Sequence, residues 1–150
     1  MSEGYVPAEL RRTVIARAER LCEYCLIHED DTFFGCEVDH IIAEKHGGPT
    51  VAGNLAYACL FCNRHKGSDL GSILRRTGAF CRFYHPRTDD WAGHFRLDGP
   101  QISPITDVAE VTARILGFNT ADRTLERAAL LESGRYPSPA ALTRMSRPTP

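Results

Sequence analysis

Apolar positions at the start of the chain recur at helical spacing. Leu10, Val14, Ala18 and Leu21 fall on one stripe and Arg11, Arg12, Glu19 and Arg20 on the other side, which predicts an amphipathic helix over 7–21 with Pro7 in its first turn. Cys22-Glu23-Tyr24-Cys25 then reads as a short knuckle and 28–31 as a polar loop. The β-favouring run 32–38 ends at Asp39-His40, and Ile41-Ile42 resumes an apolar run before Gly47-Gly48-Pro49 breaks it. This pattern predicts two short strands with Asp39-His40 near their junction, followed by a loop. Leu55, Tyr57, Ala58 and Leu60 are apolar within 54–66, a segment predicted to contain a helix that Gly67 ends.

Beyond residue 70 the pattern predicts a short helix over 72–76, strands over 80–84 and 91–97, and helices over 106–116 and 121–133. Asp98-Gly99-Pro100 closes the second of those strands, and Thr120 stands where a hydroxyl can cap the last helix. Four prolines in 137–150 predict an unstructured end. The chain thus divides into a helix plus a metal-rich core over 1–70, an extension over 71–136, and a proline-rich tail over 137–150. The expected class is α+β.

A length of 150 residues, 43% of them hydrophobic, suits one globular unit with modest elaboration. No apolar run reaches the ~18 residues that a membrane span needs, and the first residues lack the apolar region of a secretory signal, which points to the cytoplasm. Thiols stay reduced there, so six cysteines suggest metal rather than disulfides. The net charge of −1 conceals a division. Residues 1–70 carry 7 basic and 11 acidic side chains, and residues 71–150 carry 11 and 8. Bound divalent ions would offset part of the acidic half. Of the 18 basic residues only Lys45 and Lys66 are lysine. An arginine excess suits bidentate phosphate contact, and a GC-rich coding sequence produces the same bias.

The chemistry is concentrated between Cys22 and Asn63. Cys22, Cys25, Cys59 and Cys62 form two Cys-x-x-Cys pairs, each a bite that supplies two corners of a tetrahedral zinc site. With 33 residues between Cys25 and Cys59, one structural zinc would staple the first helix to a later element and enclose Asp39-His40. Asp39 offers a hard carboxylate to a second, divalent cation, and Asn63 offers a neutral oxygen to the same ion. His40 follows Asp39 and faces the other way on an extended strand, so it can take a proton from water without binding the metal. Phosphodiester hydrolysis needs those parts.

The run Cys22-x-x-Cys25, Val38-Asp39-His40-Ile41-Ile42, Gly47-Gly48, Asn54-Leu55 and Cys59-x-x-Cys62-Asn63-x-x-Lys66 resembles the HNH endonuclease family in its zinc-stapled form. The resemblance covers about residues 22 to 66 and implies a ββα-metal (His-Me finger) core with a four-cysteine zinc site. It implies His40 as general base, Asp39 and Asn63 as ligands of Mg2+, Mn2+ or another divalent ion, and Asn54 as the residue that holds the loop orienting the base. Asn63 stands where the family name has a histidine, and His65 is an alternative ligand. The second half, through Phe83-Tyr84-His85-Pro86-Arg87-Thr88 with Trp91, His94 and Phe95, resembles a tail that accompanies some bacterial members.

Plainer readings stand beside these. Asn54 can cap a helix instead of holding a loop. Lys66 is either a solvated charge at a helix C-terminus or a phosphate contact. Glu29-Asp30-Asp31 reads as a wet loop, His46 as an exposed loop residue, His94 as a packed histidine, and Cys36 and Cys81 as buried free thiols. His28 and His85 have no evident partner. Arg75, Arg76, Arg82 and Arg87 suit phosphate or ordinary surface pairs. The functional expectation is an endonuclease acting on DNA, with RNA left open, that nicks as a monomer or makes double-strand breaks as a dimer. The alternatives are a zinc-stapled binding module without activity and a Cys-x-x-Cys redox protein.

Overall fold

The computed structural model describes residues 5–146. Helix α1 (Ala8–Ala18) buries Val14 and Ala18, as the apolar stripe requires, and stops short of the predicted end because Glu19 and Arg20 both take left-handed backbone conformations. The chain then turns through the Cys22–Cys25 knuckle, where Cys22 N–H donates to Ile27 O (2.8 Å) and Leu26 N–H to Cys22 O (2.9 Å).

Strands β1 (Cys36–His40) and β2 (Leu55–Cys59) pair antiparallel, with Asp39 opposite Ala56 and His40 opposite Leu55. Helix α2 (Leu60–Lys66) follows directly, and Cys59 caps it by accepting the Cys62 N–H (3.5 Å) on its sulfur. This is a ββα unit. Two expectations change here. Ile41-Ile42 is not a strand, and the second strand lies at 55–59, inside the segment predicted to hold the helix. All five β2 residues are buried. A strand covered on both faces shows no alternation, so its apolar run resembles that of a buried helix.

Two further hairpins follow: β3 (Gly71–Ile73) with β4 (Phe80–Arg82), and β5 (Phe95–Asp98) with β6 (Gln101–Pro104). The helix expected over 72–76 is therefore a strand and a turn, Trp91–Gly93 is a single 3-10 turn ahead of β5, and β6 is a strand that the pattern does not predict. Helices α3 (Asp107–Ile115) and α4 (Ala121–Glu132) match their patterns. The hydroxyl of Thr106 caps α3 by accepting the Ala109 N–H (3.0 Å), whereas Thr120 makes no such bond to α4.

The unstructured end expected from residue 137 does not hold over 139–146. Helix α5 (Pro139–Ser146) forms there, with Ala141 fully buried. Pro139 occupies the first helical position, where a missing N–H costs nothing, and Ser138 Oγ accepts the Ala141 N–H (3.2 Å). Residues 147–150 lie outside the described residues.

The class is α+β. The main hydrophobic cluster runs from the knuckle through Phe83, Tyr84, Trp91, Phe95, Ile102, Phe118 and Tyr136 to Ala141, so the extension and the knuckle share one core. A smaller cluster of Val6, Val14, Ala18, Leu55 and Tyr57 fastens α1 to β2. Among the described residues no helix is long and apolar enough to cross a membrane.

Candidate functional site

The knuckle and the β2–α2 junction bring Cys22, Cys25, Cys59 and Cys62 together. Their sulfurs lie within 4.8 Å of one another, all four residues are buried, and none is in a disulfide. Zinc–sulfur bonds of about 2.3 Å at tetrahedral angles require sulfurs about 3.8 Å apart, and Cys25 Sγ is 3.8 Å from Cys59 Sγ. The donor set and its spacing therefore fit zinc. Hydrogen bonds from Cys22, Cys59 and Cys62 hold the Cys25 thiol well below its ordinary pKa, while burial pushes Cys22 and Cys62 well above theirs. Four buried thiols in mutual contact need a cation among them to ionise together.

Arg123 of α4 supplies part of that charge. Its Nη2 is 3.4 Å from Cys62 Sγ and 3.7 Å from Cys59 Sγ, and its guanidinium lies over the rings of Phe61 and Phe118. Burial works against the Arg123 charge, but the sulfurs of Cys62, Cys25 and Cys59 outweigh it and hold the pKa above the usual value. Nothing in the sequence marks this residue, because its partners lie 61 and 64 positions away.

The second group is built on β1. Asp39 and Glu37, two residues apart, share a strand face and line a cleft of about 710 Å3 together with Asn63 of α2. The Asn63 amide nitrogen donates to Glu37 Oε1 (3.4 Å), which leaves the amide oxygen as the acceptor in the cleft. Burial pushes the Asp39 carboxyl above its usual range, against the opposing effects of Lys66 and the His40 N–H. Asp39, Asn63 and Glu37 thus put oxygen-bearing side chains, the ligand type that hard divalent cations take, along one cleft. Glu37 escaped the sequence reading, although its i, i+2 relation to Asp39 on a strand was the available signal.

His40 is brought next to Asp39 but does not line that cleft. Its ring is 1% exposed, and Nε2 lies 2.9 Å from Thr50 Oγ1, whose hydroxyl donates on to Glu44 Oε2 (3.4 Å). Asn54 settles into the loop-holding geometry. Its Oδ1 accepts the Ile42 N–H (2.9 Å), and its Nδ2 donates to Ile42 O (3.0 Å) and Pro49 O (2.9 Å). It precedes a strand, so it caps no long helix. Lys66 differs from both of its readings. It is buried, with Nζ donating to the His40 carbonyl (3.2 Å), and so braces β1 from α2 instead of presenting a charge to phosphate.

The remaining candidates disperse. His65 is exposed with Nδ1 2.7 Å from Phe61 O and does not line the Asp39 cleft. His46 Nε2 is 3.1 Å from Ser68 O. His28 accepts the Asp30 N–H (3.0 Å), Glu29 pairs with Arg20 and accepts the Tyr57 hydroxyl (2.5 Å), and Asp31 pairs with Arg135 (2.5 Å). His94 packs against Tyr84 and Phe95 with Nδ1 2.6 Å from Thr106 Oγ1. Cys36 and Cys81 are half-buried, not fully buried as expected. Arg76 and Arg82 pair with Asp107 and Asp89, the plainer of their two readings, whereas Arg87 pairs with Glu23 in the interior and is no surface pair.

Residues 22–69 match the family model described as HNH endonuclease. No curated protein and no solved structure matches the chain.

Proposed function

We propose that the protein is a metal-dependent endonuclease that hydrolyses phosphodiester bonds in DNA, on the ground that residues 22–69 match the HNH endonuclease family model. The supporting observation is that the fold brings Asp39 and Asn63 into one cleft and sets His40 beside Asp39.

Asp39 Oδ and the Asn63 amide oxygen would hold a divalent ion, Mg2+ or Mn2+, which when bound neutralises charge on phosphate and leaving oxygen. His40 takes the proton from the attacking water. The clamp of Asn54 on Ile42 and Pro49 fixes the loop that carries Thr50, and Thr50 fixes the imidazole. Lys66 anchors the His40 backbone. The four cysteines would hold a structural zinc, which when bound fastens the knuckle to the β2–α2 junction.

One observation favours the second reading, a zinc-stapled nucleic-acid-binding module without activity: the His40 ring is almost wholly buried. Plasmid nicking in magnesium or manganese separates the two. Wild type should cleave, and His40→Ala should lose about 10²- to 10⁴-fold, the usual contribution of a general base. Equal cleavage by both proteins would remove His40 from the mechanism. Absence of cleavage on DNA and RNA alike would favour the binding module.

A further inference from the structure

We propose that Arg11 and Arg64 bind the nucleic-acid backbone in the Asp39–Asn63 cleft, making the N-terminal helix part of the substrate-binding surface. This deepens the nuclease reading and rests on its cleft. Arg11 stands on α1, outside the matched segment, and Arg64 on α2, directly after Asn63; both line the cleft that Asp39 and Asn63 enter. The cleft is thus lined by guanidinium-bearing helices from two different parts of the chain, and the candidate metal ligands, Asp39 on β1 and Asn63 on α2, line the same cleft. At about 710 Å3 it has room for a phosphodiester.

The partners of the arginines separate these two from most others. Arg20, Arg76, Arg82, Arg87, Arg135 and Arg144 are each paired with a carboxylate. Arg17, Arg123 and Arg127 donate to carbonyls or sulfurs within the fold. Among the described residues neither Arg11 nor Arg64 is paired with a carboxylate, and both are exposed. Among the described residues Arg11 donates only through Nε, to Val6 O (3.1 Å), a bond that steadies the side chain and leaves both terminal nitrogens for another acceptor. A pair of uncommitted forks facing a cleft suits phosphate oxygens, which accept two parallel bonds from one guanidinium. Lys66, the cation that the sequence suggested for this task, is buried beneath β1.

The test is binding of a short DNA duplex, followed by anisotropy without added divalent ion, in a His40→Ala background so that the DNA stays whole. Affinity is measured across about 50 to 200 mM salt, where each phosphate that a cation neutralises adds about one to the log–log slope. Arg11→Gln and Arg64→Gln should each weaken binding about tenfold at the lower salt and reduce the slope by about one, and the double variant by about two. Arg11→Lys should keep the slope, which excludes an effect through the Val6 bond. Arg96→Gln, exposed on β5 and outside the cleft, should match the background protein.

Unchanged slopes in the Arg11 and Arg64 variants, an equal loss in Arg96→Gln, or no salt-dependent binding at all would overturn the proposal. Plasmid cleavage by otherwise wild-type protein, run alongside, keeps the two readings apart. Cleavage with unchanged slopes refutes the arginine pair and leaves the nuclease standing. Reduced slopes without cleavage refute catalysis and leave the arginine pair standing.

Discussion

Asn54 carries three hydrogen bonds on one amide, two given and one received, and all of them tie the 41–54 loop to itself. Asn54→Asp keeps the shape and the acceptor for the Ile42 N–H but sets carboxylate oxygen against the carbonyls of Ile42 and Pro49. Leaving such buried groups unpaired costs about 1–3 kcal/mol. The unfolding free energy in urea should fall by that amount with the slope unchanged, and nicking should fall further because the loop carries Thr50. Gly48→Ala tests the same clamp from the other side, since an added Cβ would stand 1.7 Å from Ile42 O and 2.8 Å from Asn54 Nδ2. Both variants should resemble each other; a Gly48→Ala protein as stable and active as wild type would show that the loop has slack. The clamp was only half legible in the sequence. Asn54 bonds partners 12 and 5 positions away, and a lone Asn before an apolar run reads equally well as a cap. Cys-x-x-Cys was legible because its geometry is local, whereas Arg123 depends on tertiary placement.

Strand β2 has a different surface against each face, and that is why its sequence misled. Leu55 and Tyr57 face the α1 cluster while Ala56, Ala58 and Cys59 join the main core. Leu55→Ala would open a cavity beneath α1, with an expected cost of about 2–5 kcal/mol. Urea denaturation measures it directly; a loss well below that range would mean that α1 collapses onto β2 without strain. Helix α5 shows the opposite failure, because counting prolines overlooked where Pro139 falls in the helix. The 85–89 turn sets a pH dependence. Burial lowers the His85 pKa, chiefly against Asp89, and its Nδ1 accepts the Arg87 N–H (3.2 Å), which requires the neutral ring. The folded pKa lies below the unfolded value of about 6.5, so the unfolded chain takes the proton first and stability falls as pH drops below that value. Asp89 has the opposite charge and a lower window, with its contribution lost only as pH falls below about 3.9. A His85→Asn variant should therefore show a flatter urea midpoint than wild type between about pH 7 and 5. Parallel profiles would assign the dependence to other groups.

At the scale of the whole molecule, the cysteine cluster fastens distant segments to one another. Tyr24 O accepts the Trp91 Nε1–H (2.8 Å), Cys25 O accepts the Tyr136 hydroxyl (3.0 Å), and Arg123 reaches the sulfurs from α4. A divalent ion with four thiolates keeps a net charge of about −2, and burying that charge without a counter-charge is costly. Arg123 is therefore expected to support metal retention as well as packing. Arg123→Met keeps the stem between Phe61 and Phe118 and removes the charge, so it should lower zinc affinity by about 10- to 100-fold, the range for groups that contact metal ligands. Competition with a chromogenic chelator measures this without reference to activity. Stripping the metal from wild type should then unfold the knuckle and the extension together. Far-ultraviolet dichroism and the fluorescence of Trp91, the single tryptophan, should change in step at the same chelator concentration. If the four thiols become reactive while the Trp91 signal stays native, the ion holds only its own loop, and the shared core keeps the extension folded without it. If both signals collapse together, the thiolate cluster is the point from which the two halves of the chain take their relative position, and the Asp39–Asn63 cleft depends on it.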